Sequence, residues 1–422
     1  MPAAPRSHLP RFIIASGLTN LADGIAIVVW AWVATLLTRD PFLISLMPVA
    51  LRLPWVVFAL PAGLVTDRVN RKHLILAMDI VRAVAFGGAT LAVALALPLA
   101  TPSETGIAQP GLFTMLLVSA LVIGTAEVFR DNAAQTMLPA LVAHDHLETA
   151  NGRLWSVELV GNALIGPAIG AVLIAYIVWL PFAANAVAFA LAALMIIGLQ
   201  GRFSPGRHAT RNWTSELREG LSYLRNAPLL RLLAVVTGFW NLFDQMVMIA
   251  LVLYAQEVLG LGAQSYGLML AFAAVGGIAG GLVGDTIVRR FGPGRTAQWA
   301  QLFSAFAFIA IPFAPDAVSV ALILAAFQFS GIVWNTVSVS YRQRTIPDAL
   351  LGRVNSVYRL LAWGMMPIGL ILSGALVNVA SSVLSRDAAL AVPFIVAASG
   401  VLILSITTWR PLGREFRKAV PT

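Results

Sequence analysis

The chain has 422 residues, 59% of them hydrophobic and 11% charged, with a mean hydropathy of +0.84. Soluble domains carry about 25% charged residues, so this composition excludes an ordinary soluble protein and a disordered chain, and the absence of cysteine excludes a disulfide scaffold. The net charge of +9 arises from 28 Lys and Arg against 19 Asp and Glu; the basic residues sit between apolar runs, which fits positive loops on one membrane face better than a nucleic-acid surface.

A membrane-spanning helix needs about 20 apolar residues. Twelve such runs are predicted, at 12–37, 43–66, 74–99, 111–135, 154–178, 180–199, 229–256, 266–288, 297–314, 317–341, 354–379 and 389–409. The first exceeds a signal-peptide core and is read as a retained helix. The runs are continuous, without the alternation of a membrane β-barrel. The fold class expected is therefore an all-α membrane protein with two six-helix bundles, 1–199 and 229–422. They are joined by a cytoplasmic linker, 200–228.

With the amino terminus cytoplasmic, only Arg39 and Arg386 fall in outer loops, and Arg52, Arg82, Arg130 and Arg359 lie within spans. All other basic residues then lie at the inner face, as the positive-inside bias requires, and an even span number returns the carboxyl terminus to that side. In the linker, Leu217, Leu221 and Leu224 recur at helical spacing opposite Glu216 and Arg218. This predicts an amphipathic helix on the inner membrane surface, or else a simple connector.

The two halves repeat. Gly17-Leu-Thr-Asn20-Leu-Ala-Asp23 matches Gly238-Phe-Trp-Asn241-Leu-Phe-Asp244, and Gly63-Leu-Val-Thr-Asp67 matches Gly281-Leu-Val-Gly-Asp285. Asn151 and Asn355 each precede a span with a mid-helix proline, Pro167 and Pro367. Duplicated six-helix halves are a recurrent plan of secondary transporters.

The stretch Gly63-Leu-Val-Thr-Asp67-Arg68-Val-Asn-Arg71-Lys72 resembles the loop signature between helices two and three of the major facilitator superfamily, and Asp285-Thr-Ile-Val-Arg289-Arg290 is a degenerate second copy. In the fifth span, Gly161-Asn-Ala-Leu-Ile-Gly166-Pro167-Ala-Ile-Gly170-Ala171 resembles the superfamily's antiporter motif. Arg52-Leu-Pro-Trp55 and Leu351-Gly-Arg-Val-Asn355-Ser-Val-Tyr358-Arg359 are similar to the drug:proton antiporter branch that includes macrolide-efflux and enterobactin-exporter proteins. This resemblance implies a twelve-helix fold working by alternating access, and Gly166, Pro167 and Gly170 imply export. It also implies a cytoplasmic latch of Gly63, Asp67, Arg68, Arg71 and Lys72 with Glu127, Arg130, Asp131, Asn355 and Arg359. No motif names a substrate.

An ionisable side chain at mid-membrane costs at least about 2.5–3.5 kcal/mol and is a functional candidate by default. Asp23 and Arg52 lie at similar depth on neighbouring spans, with Thr19 and Asn20 on the Asp23 face. Burial favours a neutral carboxyl and a nearby guanidinium favours the charged one, so Asp23 is the candidate proton-coupling group; a permanent Asp23–Arg52 ion pair is the alternative. Asp244, beside Asn241 and Gln245, is a second candidate protonation site, a contact for a cationic substrate group, or a helix-packing residue. Asp79, Arg82, Glu127, Arg130, Asp131, Glu158 and Arg359 form a denser group expected near the inner face. Gly166 and Gly170 around Pro167 permit close helix approach and a kink. Of the membrane aromatics, Trp240 and Phe243 are candidates to line a substrate cavity with Asn20, Arg52, Asn241 and Gln245, against a plain packing role.

No phosphate-binding loop, hydrolytic triad or zinc-peptidase pattern is present, so an ATP-driven pump, an enzyme, a cofactor and a metal site are not expected. The pair His144 and His146 reads as a solvated loop. The expected function is proton-coupled export of an amphipathic small molecule (drug-like, siderophore-like or lipid-like) by a monomer. It would sit among lipids in a bacterial inner membrane, without nucleic acid. The alternatives are a proton-coupled importer of a polar solute and a transport-dead receptor or assembly factor on the same scaffold.

Overall fold

The computed structural model describes residues 8–66, 68–142, 147–201, 203–204 and 213–419. Asp67, His144 and His146 lie outside the described residues. Among the described residues, twelve helical stretches are long and apolar enough to cross a membrane. Four are single helices at the start of the chain: α1 (His8–Leu37), α2 (Pro41–Thr66), α3 (Arg71–Leu95) and α4 (Pro110–Met137). The fifth is compound, running from α5 (Leu147–Glu158) through a π-helical stretch, Leu159–Ile165, into α6 (Gly166–Tyr176); α7 (Leu180–Ile197) follows. The π turn lies just before Pro167, which has no N–H to donate and whose ring crowds the carbonyl four residues back; a wider turn relieves both.

After α8 (Trp213–Asn226) come α9 (Pro228–Glu257), α10 (Ala263–Phe291), α11 (Pro293–Ala310) and α12 (Ala317–Thr345). The eleventh span joins α13 (Asp348–Trp363) to α14 (Met365–Ala380), and α15 (Arg386–Ala419) is the last. Local chemistry sets the ends. Prolines open α4, α9 and α11, where a missing N–H costs nothing. Gly292, at φ +79°, turns the chain into α11. Asp316 caps α12 by accepting the Ser319 N–H at 2.8 Å, and that bond holds its carboxyl below the usual carboxylate range.

The chain forms two compact units, Met1–Arg211 with Gly262–Leu268, and Asn212–Leu261 with Met269–Thr422. In the first, α7 packs on α1 and α3, and α4 packs on α2 and α3. Its core at one end gathers Phe12, Met137, Ile196 and Leu199. In the second, α9 packs on α14 and α15, and α11 packs on α12 and α15. Large apolar side chains such as Val84, Leu194 and Ile406 face outward, a surface suited to a bilayer.

Two expectations change. The linker helix exists as α8, but Leu224 is buried in the second unit's core with Leu217 packed beside it. Arg353 of α13 pairs with Glu219. Protein covers much of the apolar face expected on the membrane surface, and Leu221 stays exposed. The final helix also outruns its apolar span by a further ten residues of helix, Arg410–Ala419; hydropathy marks where lipid ends, not where helical hydrogen bonding ends.

Candidate functional site

The first unit holds a cluster of charges deep among its helices. Arg82, midway along α3, is fully buried and donates from Nη2 to Asp23 of α1, whose side chain is 17% exposed. Its guanidinium carbon lies 3.9 Å from the ring centre of Phe189 on α7, while Nε and Nη1 have no hydrogen-bond partner. One turn earlier on α3, Asp79 is also fully buried and accepts from Arg130 Nε of α4 at 3.3 Å. Arg130 Nη1 reaches Asp131 at 3.5 Å. Glu127, one turn before Asp131, lies within electrostatic range of Asp23, Arg82, Asp131 and Arg52.

The folded unit joins Asp23 to Asp79, Arg82, Glu127, Arg130 and Asp131 of the expected inner-face group in one network, and the partner of Asp23 is Arg82, not Arg52; Arg359 belongs to the second unit. Four carboxylates (Asp23, Asp79, Glu127, Asp131) stand with three guanidinia (Arg52, Arg82, Arg130). Fully ionised, the cluster carries one excess negative charge. A single proton makes it neutral.

Glycines place Asp23. A Cβ on Gly24 would lie 2.6 Å from the carbonyl oxygens of Gly161 and Asn162, and one on Gly170 would lie 2.8 Å from the carbonyl of Ile25. The backbone of α1 is therefore seated directly on the fifth span, beside Asp23, by the Gly-Pro motif read from the sequence. Asn185 of α7 donates to the Ala22 carbonyl at 2.9 Å and holds α1 from its other side. Asn185 and Phe189 escaped the sequence reading; an asparagine in an otherwise apolar span was the available signal. Asn20 instead donates to the Ser16 carbonyl of its own helix at 2.8 Å.

The loop signature is built into the first unit. Asn70 caps α3 by accepting from the Lys72 and His73 N–H groups. Arg71 Nη1 donates to the Thr136 carbonyl at 3.0 Å, and Lys72 Nζ donates to the Ile197 and Leu199 carbonyls at 2.9 and 2.7 Å. Arg68 is exposed, and Gly63 has open space where a Cβ would stand.

In the second unit, Gln245 donates to Asp244 at 3.0 Å, Asn241 is buried and donates to the Ala362 carbonyl at 2.9 Å, and Trp240 donates to Ser304 at 3.0 Å while stacking on Phe327. Phe243 packs against Gly400. The Tyr358 hydroxyl joins Thr237, Ser338 and the Leu233 carbonyl. Arg342 lies over the Tyr358 ring and donates to Asn355 at 3.3 Å, and Arg359 sits 5.1 Å from the Trp363 ring centre. No group of three or more metal-ligating side chains occurs among the described residues.

The chain is 26% identical to the multidrug efflux pump Tap of Mycolicibacterium fortuitum over 399 residues, covering 90% of this chain and 91% of that protein. It is 26% identical over 430 residues to the multidrug efflux pump Tap of Mycobacterium tuberculosis (strain ATCC 25618 / H37Rv), covering 96% and 94%. Among solved structures, a bacterial homologue of the iron transporter ferroportin in its inward-facing state superposes with a TM-score of 0.75 at 16% identity, covering 96% of this chain and 98% of that one. A bacterial homologue of the human lysosomal transporter Spinster gives 0.72 at 14% identity, covering 99% of both chains. The sequence profile of the Major Facilitator Superfamily matches residues 12–370, and the chain belongs to that superfamily of membrane transporters.

Proposed function

We propose that this transporter exports amphipathic small molecules in exchange for protons, by alternating access, as a monomer in a bacterial cell membrane with both termini cytoplasmic. The observation that carries the reading is the Asp23–Arg82 pair, set mid-helix in a cluster whose carboxylates outnumber its guanidinia by one. A net charge held in a low-dielectric bundle is costly, so the cluster rests with one proton bound. A substrate that brings positive charge or polar groups to the cluster replaces that proton, which leaves toward the cytoplasm; reprotonation from outside resets the site. Asp23, partly exposed and bonded to a buried arginine, is the group through which the proton enters and leaves, with Asp244 as a second candidate. The efflux direction is supported by the names of the two relatives and by Gly166, Pro167 and Gly170 against α1. The latch assigned to Gly63, Asp67, Arg68, Arg71, Lys72, Glu127, Arg130, Asp131, Asn355 and Arg359 belongs to the same proposal.

Accumulation of fluorescent amphipathic dyes and antibiotics in expressing cells tests it. Wild type should hold less dye than empty cells, and both a protonophore and Asp23→Asn should remove the difference. In proteoliposomes, Asp23→Asn should still pass substrate down its gradient. Protonophore-sensitive extrusion by Asp23→Asn would overturn the coupling role, and higher accumulation in wild type would turn the reading to import.

A further inference from the structure

The degenerate second copy of the loop signature leads to a pocket apart from the charge cluster of the first unit. In the first unit, the start of α3 is closed: Asn70 caps its N–H groups and Lys72 spans to the carbonyls at the end of α7. The repeat puts Gly292 and Gly294 at the corresponding start of α11, where no side chain caps the helix. Between this start and the end of α15 lies a cavity of about 760 Å³.

Four guanidinia, Arg295, Arg410, Arg414 and Arg417, border it. Arg414 bonds Glu415 at 3.0 Å, whereas the other three make no hydrogen bond or ion pair among the described residues. Gln298, nine-tenths buried, donates to the Trp409 carbonyl at 2.6 Å and ties α11 to α15 at the cavity wall. The open helix start adds positive potential. The four arginines are exposed around one open groove; like charges so gathered repel one another, and an anion between them relieves that cost.

The surface beside the pocket tells a lipid from a free anion. Trp299, Phe303 and Phe306 follow one another at i, i+4 and i+7 along α11, and all three are exposed. Leu402 and Ile406 of α15 are exposed at seven and three residues before Trp409. Trp299 and Trp409 meet edge to face at 5.5 Å beside the cavity. These stripes run from the basic pocket toward the membrane centre, and paired tryptophans at a headgroup level are typical of the interface. Basic pockets between membrane helices on the cytoplasmic side suit anionic headgroups.

We propose that this pocket binds the phosphodiester headgroup of an anionic phospholipid of the inner leaflet, with its acyl chains laid along the apolar stripes of α11 and α15. Each arginine near an anionic headgroup contributes about a fivefold factor in affinity.

Native mass spectrometry of the detergent-purified full chain, titrated with phosphatidylglycerol or phosphatidylethanolamine, reads this directly. Wild type should bind one phosphatidylglycerol at least about tenfold more tightly than phosphatidylethanolamine. Arg295→Gln with Arg410→Gln and Arg417→Gln should abolish that preference. Gly413→Met, whose Cβ would lie 2.9 Å from Gln298 Nε2 and so reshape the cavity wall while keeping every arginine, should abolish it too. A control of three exposed arginines elsewhere in the same unit, Arg225→Gln with Arg231→Gln and Arg344→Gln, should keep it. Equal preference in the pocket triple variant and wild type, or preference surviving in Gly413→Met, would overturn the pocket in favour of diffuse surface charge. Displacement of the lipid by millimolar glycerol phosphate would overturn the lipid assignment in favour of a soluble phosphate site.

Discussion

Arg82 is wholly buried, yet it bonds one carboxylate through one nitrogen and leaves two others without partners. Such a group is expensive to keep and more expensive to disturb, because removing one member of a buried pair strands the other; the usual cost is about 3–5 kcal/mol. Arg82→Gln should therefore destabilise the detergent-purified protein by about 3–5 kcal/mol, read as a lower unfolding temperature, since Asp23 and Asp79 both lose a compensating charge. The charge-balanced double variant, Asp23→Asn with Arg82→Gln, should recover more than half of the loss. A double variant no better than Arg82→Gln alone would mean the two residues are not coupled. The cost of these charges was legible in the sequence, since Asp23, Asp79, Arg82 and Arg130 all stand in apolar runs. Their pairing was not. Chain adjacency favoured Arg52 for Asp23, but α7 packs between α1 and α3 and brings Arg82 to Asp23 through Asn185 and Phe189. Which helix comes third to a pair is set by tertiary packing, and no local spacing encodes it.

Among the elements, the seam between α1 and the fifth span is where the motif glycines matter for geometry. A methyl on Gly24 would strike backbone carbonyls, which cannot rotate away. Gly24→Ala should push α1 off the fifth span, cost about 1–3 kcal/mol as overpacked cores do, and reduce transport by displacing Asp23. Gly63 gives the contrast, because a methyl there meets nothing within 4 Å. Gly63→Ala should leave thermal stability unchanged or raise it by up to about 1 kcal/mol, since alanine loses less entropy in a helix. If Gly63→Ala unfolded as easily as Gly24→Ala, the loop glycine would be a packing residue and its place in the latch would fall. Parallel melting curves and dye-efflux rates separate the two. Small residues around Pro167 predicted both the close approach and the kink. The π turn that absorbs the proline, and the choice of α1 as the partner, came only with the fold.

At the scale of the whole molecule, the two halves share a sequence plan and differ in electrical character. Among the described residues, every buried Asp or Arg (Asp79, Arg82, Arg130) belongs to the first unit, and the buried polar groups of the second are hydroxyls and amides. Duplication fixed the helix plan, which is why the repeat could be read from Asn20 and Asp23 against Asn241 and Asp244; the charged residues placed on each copy then diverged. The hydroxyls and amides around Tyr358, with Arg342 over its ring, can hold helices together and offer hydrogen bonds to a substrate, but they include no carboxylate for a proton to neutralise. Tyr358→Phe should therefore act on stability, leaving the groups around its hydroxyl short of a partner at a cost of about 1–3 kcal/mol, while dye efflux stays protonophore-sensitive. Asp244→Asn asks the sharper question of the same asymmetry. If coupling resides in the first unit, this variant should alter which dyes are exported, by weakening the cationic ones, and keep the dependence on the proton gradient that Asp23→Asn loses. Loss of that dependence in Asp244→Asn would move a second protonation site into the second unit, and the division of labour between the halves would have to be given up.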